Sequence, residues 1–276
     1  MAALFVIGTP IGNLGDITLR AIETLREVKH VAAEDTRRTR QLLSHLEVHG
    51  KHLVALDAHA TEKRIAGLVD RLIAGESVAL VTDAGMPSVS DPGAALVRAA
   101  IERGVEVTVI PGPSAVTAAV ALSGLVEGPF LFLGFLPRRG KKRHEAMERI
   151  ARSVEPVVLF ESPNRTQDTL EELARAMPER QAIVSRELTK LHEETVRGTL
   201  DELSARSEWR GEIAMVIGAG NGEAADAPDD AALDARIGEL LAEGVSPRSV
   251  ADELTAWSRR PRREVYARVQ RLRRGQ

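Results

Sequence analysis

Three turns rich in glycine and proline each follow a short apolar stretch of the chain, at residues 8–13, 82–93 and 111–115. Glycine lets a backbone approach a ligand closely, and proline holds a turn rigid. In open α/β sheets, ligands bind beyond the carboxyl ends of the strands. Three such turns on one sheet would build one crevice, and we therefore expect a small cofactor to bind there.

The composition of these turns argues against two common nucleotide-binding motifs. The first turn has glycines at positions 8, 12 and 15, which match neither the G-x-G-x-x-G pattern nor a glycine-lysine pair followed by serine or threonine. A nicotinamide-dependent dehydrogenase and a P-loop enzyme are therefore poor interpretations. The second turn is the most specific local signal, because helix capping explains Asp91 and Pro92 but leaves residues 83–87 unexplained.

The elements that must position these turns alternate along the first part of the chain. Helical patterns at residues 18–29, 36–45, 62–74 and 91–104 separate the predicted strands, at residues 4–7, 30–33, 53–56, 78–82 and 105–110. These strands are almost continuously apolar, which is typical of a parallel sheet covered by helices on both faces. We therefore expect a parallel five-stranded sheet in an α/β domain of residues 1–112.

The second part of the chain is richer in strands. Predicted helices lie at residues 116–122, 141–152, 163–177 and 200–206, and predicted strands at 130–134, 156–160, 182–186, 194–198 and 212–217. This order predicts a second α/β domain with a mixed sheet at residues 113–218. The expected fold class is thus α/β, with two α/β domains and a cofactor cleft between them.

The last part of the chain changes its charge pattern. Residues 219–234 contain five acids and no lysine or arginine, which predicts an acidic flexible linker. Residues 235–276 are predicted to form a small basic helical domain, with helices at 235–243, 246–257 and 261–273. From residue 246 onward, nine arginines stand against three acids. We expect Trp257 and Tyr266 to lie in the core of this domain.

Composition limits the class of protein further. The chain has 276 residues, a formal net charge of -3 and no cysteine, which excludes disulfides, thiolate metal sites and a cysteine nucleophile. The N-terminus lacks a basic region before its apolar residues, and the most apolar stretch, at 115–126, is too short to span a bilayer. We expect a soluble cytoplasmic protein.

Seven motifs together carry a resemblance to a known family. They lie at residues 7–14, 33–37, 82–93, 111–115, 134–138, 161–165 and 186–190. In this order they resemble the tetrapyrrole-methylase superfamily and, within it, the branch of 16S rRNA (cytidine-2′-O)-methyltransferases. The resemblance covers residues 4–217 and, more loosely, the C-terminal helices.

The resemblance implies a reaction and its participants. S-adenosylmethionine would bind in the cleft between the two α/β domains of a homodimer. Its methyl group would pass to the ribose 2′-hydroxyl of a decoding-centre cytidine, at position 1402 of 16S rRNA, in the small ribosomal subunit. Asp83 would also complement the positive charge of the cofactor. The cofactor-binding residues implied are Pro10, Gly12, Asn13, Asp83, Ala84, Gly85, Met86, Pro87, Ser88, Ser114, Ala115 and Ala214.

Methylation of a ribose hydroxyl, which is a weak acid, calls for a positioned base or a cation that stabilises negative charge. The candidates are Glu34, Asp35, His59, Glu161, Arg186, Glu187 and Lys190. We favour Glu34 or Asp35 as the base, with Lys190 or Arg186 as the cation. The alternative is that these groups form salt bridges between the domains. No metal site is predicted, because His49 and His52 have no carboxylate at ligand spacing.

Clusters of basic residues supply candidate contacts to RNA phosphates. They are Arg37, Arg38, Arg138, Arg139, Lys141, Lys142, Arg143, Arg259, Arg260, Arg262 and Arg263. The last two predicted helices also resemble a helix-turn-helix in their spacing, so we expect the C-terminal domain to dock RNA. Two alternatives stay open: a corrin or porphyrin methyltransferase of the same superfamily, and a non-catalytic RNA-binding protein of ribosome assembly.

Overall fold

The computed structural model describes residues 2–56, 62–89, 93–206, 208–220, 230–242, 245–258 and 260–274. The predicted helix start at Asp91 and Pro92, the candidates His59 and Arg259, and most of the predicted linker lie outside these ranges. Two compact units divide the chain after residue 220. The boundary predicted between residues 112 and 113 falls within the first unit, between its two sheets.

Five parallel strands form the first sheet, as their apolar sequences predicted. They are β1 (Ala3–Ile7), β2 (His30–Ala33), β3 (His52–Ala55), β4 (Val78–Val81) and β5 (Glu106–Ile110), in the order β3-β2-β4-β1-β5. β1 pairs in parallel with β4 on one side and with β5 on the other. The three turns rich in glycine and proline therefore leave three neighbouring strands at the same edge of the sheet.

Four helices cover the two faces of this sheet, and a 3-10 helix (Leu14–Asp16) follows β1. The helices are α1 (Leu19–Glu27), α2 (Thr36–His45), α3 (Glu62–Ile73) and α4 (Ala94–Glu102). Side chains of a strand alternate between its faces. In β4, Ala79 and Val81 share a core with residues of α1 and α2, whereas Val78 and Leu80 share one with α3 and α4. Burial on both faces explains why β4 is continuously apolar.

The second sheet is mixed. Its strands are β6 (Leu131–Phe135), β7 (Val157–Glu161), β8 (Gln181–Arg186), β9 (Glu194–Thr199) and β10 (Ile213–Ile217), in the order β6-β7-β10-β8-β9. β6 and β7 are parallel, and the other neighbours are antiparallel. The predicted fold class is confirmed.

Helices cover both faces of the second sheet as well. They are α5 (Ala115–Ser123), α6 (Lys141–Arg152), α7 (Pro163–Ala176) and α8 (Leu200–Ser204). α5 shares a core with one face of the sheet, and the other three helices share a core with the opposite face. The face under α5 is the one that takes part in the candidate site.

In the described part of the C-terminal unit lie three helices, α9 (Asp230–Ala242), α10 (Pro247–Ser258) and α11 (Arg262–Arg274). α9 begins at Asp230 rather than at residue 235, so the predicted end of the linker was wrong. Arg268 of α11 forms ion pairs with Asp230 and Asp234. These pairs offset the acidic charge that predicted a flexible segment, and the acids join the first turns of a helix instead.

The aromatic residues of this unit differ in their surroundings. Tyr266 packs against a core that includes Leu233, Val250 and Val265. Trp257 is 41% exposed, and the expectation that it lies in the core was wrong. Among the residues described, no helix combines the length and the apolarity needed to cross a membrane.

Candidate active site

The three turns contact one another through their backbones. Gly8 donates its N–H to the carbonyl of Ile110 at 3.0 Å, and Thr9 and Gly85 exchange two backbone hydrogen bonds of 2.9 and 3.0 Å. A Cβ on Gly8 would lie 2.7 Å from the Cα of Gly112 and 2.7 Å from the sulfur of Met86. Because no Cβ fits at that separation, this junction requires glycine at position 8.

A cavity of about 440 Å³ lies where this edge of the first sheet faces the second sheet, within the usual size range of small-ligand sites. Of the predicted cofactor residues, Asp83, Ala84, Gly85, Met86, Ser114, Ala115 and Ala214 line it. Pro10, Gly12, Asn13, Pro87 and Ser88 are not part of its lining. The structure thus brings together predicted residues that follow β4 and β5 with Ala214 of β10.

Two carboxylates stand in the cavity wall at the ends of neighbouring strands, Glu34 after β2 and Asp83 after β4. Glu34 Oε2 accepts a hydrogen bond of 2.6 Å from the Thr82 hydroxyl and one of 3.4 Å from the Asp83 N–H. Asp83 Oδ1 accepts one of 2.9 Å from the Asp35 N–H. Groups at the end of β4 therefore hold the Glu34 carboxylate, and the backbone after β2 holds the Asp83 carboxylate.

The two carboxylates also affect each other electrostatically. Burial raises the pKa of Asp83 above its ordinary value, against the opposing effect of the hydrogen bond from Asp35. The nearby Glu34 carboxylate raises the pKa of Asp83 further. This wall of the cavity thus holds two closely spaced carboxyl groups, and the Arg38 guanidinium lies 3.5 Å from Asp83.

Asp35 has a different role from Glu34. Its side chain caps α2 by accepting a hydrogen bond of 2.8 Å from the Arg37 N–H, and the Arg37 guanidinium contacts both carboxylate oxygens. Hydrogen bonds from the side chain and backbone of Arg37 hold the pKa of Asp35 well below its ordinary value. Because a strongly acidic capping carboxylate accepts a proton poorly, the geometry favours Glu34 over Asp35 as the base.

Glu161 stands in the opposite wall, at the end of β7. Its buried carboxylate lies 3.0 Å from the Arg165 guanidinium and accepts hydrogen bonds from the Thr169 hydroxyl at 2.9 Å and the Ser162 N–H at 2.8 Å. Both oxygens are therefore occupied in fixing the first turns of α7. The Glu161 carboxylate therefore stabilises the structure of this wall.

The loop between β8 and β9 contacts the first turn. Asn13 donates its N–H to the Thr189 hydroxyl at 2.9 Å, and a Cβ on Gly12 would lie 2.5 Å from Cγ of Lys190. Lys190 Nζ lies 3.0 Å from a carboxylate oxygen of Glu187 and 3.0 Å from one of Glu212. Burial alone would lower the pKa of Lys190, but the hydrogen bonds to these two acids raise it.

Arg186, the other candidate cation, is not part of the cavity lining. Its Nε lies 2.6 Å from Glu194 on the neighbouring strand β9. Arg206 binds the same carboxylate at 2.9 Å, and hydrogen bonds from Arg206 and then Arg186 hold the pKa of Glu194 at about 2. Arg186 thus belongs to a cross-strand ion cluster, a position that does not support a direct role in chemistry.

The predicted RNA contacts differ in exposure and in ion pairing, and the exposed Lys141 lies 3.8 Å from Glu145. Arg138, Arg139, Lys141 and Lys142 are exposed, in a segment that begins three residues after the cavity-lining Phe135. Arg143 is only 12% exposed, and its guanidinium lies 2.7 Å from Glu172. Because its charge is already neutralised inside the protein, Arg143 is a poor phosphate contact.

Most of the other predicted arginines are ion-paired, including some that are exposed. Arg37 is bound to Asp35, and Arg38 lines the cavity with its Nε 3.5 Å from Asp83. In the C-terminal unit, Arg260 lies 2.6 Å from Asp230 and Arg262 lies 2.5 Å from Asp252. Arg263 is exposed.

The apolar part of the cavity was not predicted from the sequence. Phe135 and Phe160 line it from β6 and β7, with Ile11 from the first turn and Leu188 from the β8–β9 loop. The signal was present in two motifs, since Phe135 lies within the motif at 134–138 and Phe160 precedes the one at 161–165. Among the side chains described, no group of three or more His, Cys, Asp or Glu residues is arranged to hold a metal ion.

Known proteins share the sequence family and the fold of this chain. A family model described as Tetrapyrrole (Corrin/Porphyrin) Methylases matches residues 3–204. Among solved structures, diphthine synthase has a TM-score of 0.62 at 20% identity, covering 79% of this chain and 90% of that one. A uroporphyrin-III C-methyl transferase from Thermus thermophilus, complexed with S-adenyl homocysteine, has a TM-score of 0.57 at 21% identity, covering 79% and 97%.

Curated relatives are much more similar in sequence, and three of them are named ribosomal RNA small subunit methyltransferase I. One from Thermotoga maritima is 44% identical over 79% of this chain and 98% of its own length. Those from Halalkalibacterium halodurans and Bacillus subtilis are 38% and 36% identical, over 95% and 96% of this chain and 93% of each relative. The chain therefore belongs to the tetrapyrrole methylase family and, within it, to the ribosomal RNA small subunit methyltransferase I family. It is an enzyme of the methyltransferase class.

The contact between Gly8 and Gly112 gives a test of how the cavity is built. We expect Gly8→Ala to lower the free energy of unfolding by about 1–3 kcal/mol, because the added methyl group overpacks two backbones. Cofactor binding, followed by calorimetry, should weaken with it. Gly67→Ala is a matched control, since no atom lies within 4 Å of its added Cβ. Equal stability and cofactor affinity in the two variants would contradict the conclusion that this junction requires glycine at position 8.

Proposed function

We propose that the protein transfers the methyl group of S-adenosylmethionine to the ribose 2′-hydroxyl of the decoding-centre cytidine, position 1402, of 16S rRNA. The observation that carries this proposal is the identity of 36–44% to relatives named ribosomal RNA small subunit methyltransferase I. The site supports it with a cavity bounded by the same motifs that carried the family resemblance. The proposed substrate form is the small ribosomal subunit, and we also expect a homodimer, which light scattering tests.

The residues of the cavity fit S-adenosylmethionine in size and chemistry. Apolar side chains such as Ile11, Met86 and Phe160 offer surface to an adenosine, and Ser114 offers a hydroxyl. The Asp83 carboxylate complements a cationic donor. When bound, the sulfonium supplies an electrophilic methyl group, so alignment is the main contribution required of the protein.

The chain must also accept the proton of the ribose hydroxyl. Glu34 is suited to this role, because it lines the cavity and is held in place by Thr82 and Asp83. The cationic role proposed for Lys190 is indirect in this geometry, since its ammonium group is bound to Glu187 and Glu212. Arg186 is placed still less favourably, beside Glu194.

Two surfaces are proposed to hold the RNA. The exposed segment with Arg138, Arg139, Lys141 and Lys142 follows a cavity-lining strand, so phosphates bound there would belong to the nucleotides next to the target. In the C-terminal unit, Arg263 is better placed for docking than Arg260, which is ion-paired. Both surfaces act mainly through counterion release, which makes binding salt-dependent.

The direct test is a methylation assay on the proposed substrate. The purified protein is incubated with S-adenosylmethionine and small ribosomal subunits that lack the modification, and digested RNA is analysed by mass spectrometry. We expect 2′-O-methylcytidine at one decoding-centre position. A protein that binds the cofactor but leaves this RNA unmodified would contradict the proposal and favour a corrin or porphyrin substrate. Absence of cofactor binding would favour a non-catalytic assembly protein.

The choice of base gives a second prediction. We expect Glu34→Gln to lower kcat for RNA methylation by roughly a hundredfold or more, because general bases contribute about 10²–10⁴ in rate. Cofactor affinity should be retained, since glutamine still accepts the hydrogen bond from Thr82. The matched control is Asp35→Asn, which keeps a good helix cap and should change kcat only a few-fold. A large loss in Asp35→Asn together with normal turnover in Glu34→Gln would reverse the assignment.

The basic segment that contains Arg138 and Arg139 is expected to contact RNA phosphates. The double variant Arg138→Ala, Arg139→Ala should weaken RNA binding and reduce the slope of log affinity against log salt by about one to two units, as expected for two phosphate contacts. A control that removes Arg98 and Arg103, which are exposed around the end of α4, should leave the slope unchanged. Identical slopes in the two double variants would rule out phosphate contacts by the segment.

A further inference from the structure

The end of β6 carries an irregularity that changes the direction of its last side chain. Phe132 pairs with Val158 of β7, but the next pair is Gly134 with Leu159, so the bulge leaves Leu133 unpaired. Gly134 has a φ of +62°, a left-handed conformation that glycine adopts without strain. Bulges of this kind re-aim side chains and are frequent beside active sites.

The bulge gathers three aromatic rings on one face of the sheet. Residues three apart in a regular strand point to opposite faces. With one extra residue between them, Phe132 and Phe135 both contact Phe160 of β7, at ring-centroid distances of 5.2 and 5.6 Å. Without the bulge, Phe135 would point away from the cavity.

Phe135 is nevertheless poorly covered. It lines the cavity and is 58% exposed, although the neighbouring rings of Phe132 and Phe160 are partly buried in the core under α5. An aromatic ring that is braced from one side and open to a cavity is suited to stacking against a flat ligand.

The charge next to this ring indicates what the flat ligand is. Arg138, Arg139, Lys141 and Lys142 follow Phe135 and are exposed. An open aromatic side chain beside a basic segment is the combination by which proteins hold single-stranded nucleic acid, with bases on the rings and phosphates on the cations.

We propose that Phe135 is the platform on which the unpaired base of the substrate nucleotide stacks. This inference rests on the proposed function. Phe135 belongs to the wall formed by the second sheet, whereas Glu34 belongs to the wall formed by the first sheet. A nucleobase stacked on Phe135 leaves its ribose between the two walls. The 2′-hydroxyl then faces Glu34, the proposed proton acceptor. Phe135 is thus a positioning residue and takes no part in proton transfer.

In the step that this position serves, the ribose oxygen forms a bond to the methyl carbon as the carbon–sulfur bond of the donor breaks. The electron pair of that bond stays on sulfur, and the hydroxyl proton passes to Glu34. Stacking sets the distance over which the oxygen approaches the methyl carbon and leaves the electronic demands of the reaction unchanged.

A set of substitutions separates stacking from mere apolar packing. Phe135→Leu should lower kcat/KM for the RNA by about tenfold to a hundredfold, the loss expected for one base stacked on an aromatic ring. Phe135→Tyr keeps a π-face and should stay within a few-fold of wild type. Cofactor affinity should be unchanged in both. The matched control is Phe130→Leu, because Phe130 is 37% exposed and lies outside the cavity lining.

Equal kcat/KM in Phe135→Leu and wild type would overturn the proposal. A change of oligomeric state in Phe135→Leu, seen by light scattering, would overturn it too, because the ring would then belong to a contact between copies of the chain.

A readout independent of methylation keeps this test distinct from that of the proposed function. In Phe135→Trp, the added indole should be quenched by a short single-stranded pyrimidine RNA, relative to wild type with the same RNA. Quenching without methylation would uphold stacking and reject the proposed reaction. Methylation with no quenching and no loss in Phe135→Leu would uphold the reaction and reject the role of Phe135.

Discussion

The structure depends on how deeply the first turn, residues 8–13, packs against both sheets. Its start lies against the turn after β5, where Gly8 and Gly112 approach too closely for a side chain. Its middle inserts Ile11, 8% exposed, into the apolar core formed by α5 and the second sheet. Its end meets the β8–β9 loop through Gly12 and Asn13. One short turn therefore fixes both walls of the cavity, and the remaining residues of the site take their positions from it.

The polar groups of the cavity differ in how completely their neighbours occupy them. Glu161 lines the cavity, but its carboxylate binds the start of α7 and Arg165. Asp35 lies outside the lining, and its carboxylate binds the start of α2 and Arg37. Glu34 and Asp83 are held mainly by the ends of two neighbouring strands. Parallel pairing of β2 with β4 thus brings Glu34 and Asp83 together in one wall of the cavity.

The sequence predicted the two sheets and the meeting of the turns, because strand burial and backbone conformation leave local patterns. It did not predict which charges neutralise one another. Arg143 belongs to a basic motif, but it is bound by Glu172, which lies far along the chain. Arg186 belongs to a motif of the family resemblance, but it is bound by Glu194 on the neighbouring strand. Asp230 and Asp234 were assigned to a flexible linker because their partner Arg268 lies far along the chain. The bulge at Leu133 was equally hidden, since register is set by the neighbouring strand.

The acids at the ends of β2 and β4 have a consequence for the end of the catalytic cycle. Glu34 and Asp83 place two carboxyl groups in one wall of the cavity, with the Arg38 guanidinium 3.5 Å from Asp83. A sulfonium donor loses its positive charge when its methyl group leaves, and the spent donor is a neutral thioether. Under the proposed cofactor assignment, the Asp83 carboxylate would favour the charged donor over its uncharged product, so loss of the methyl group would itself weaken binding.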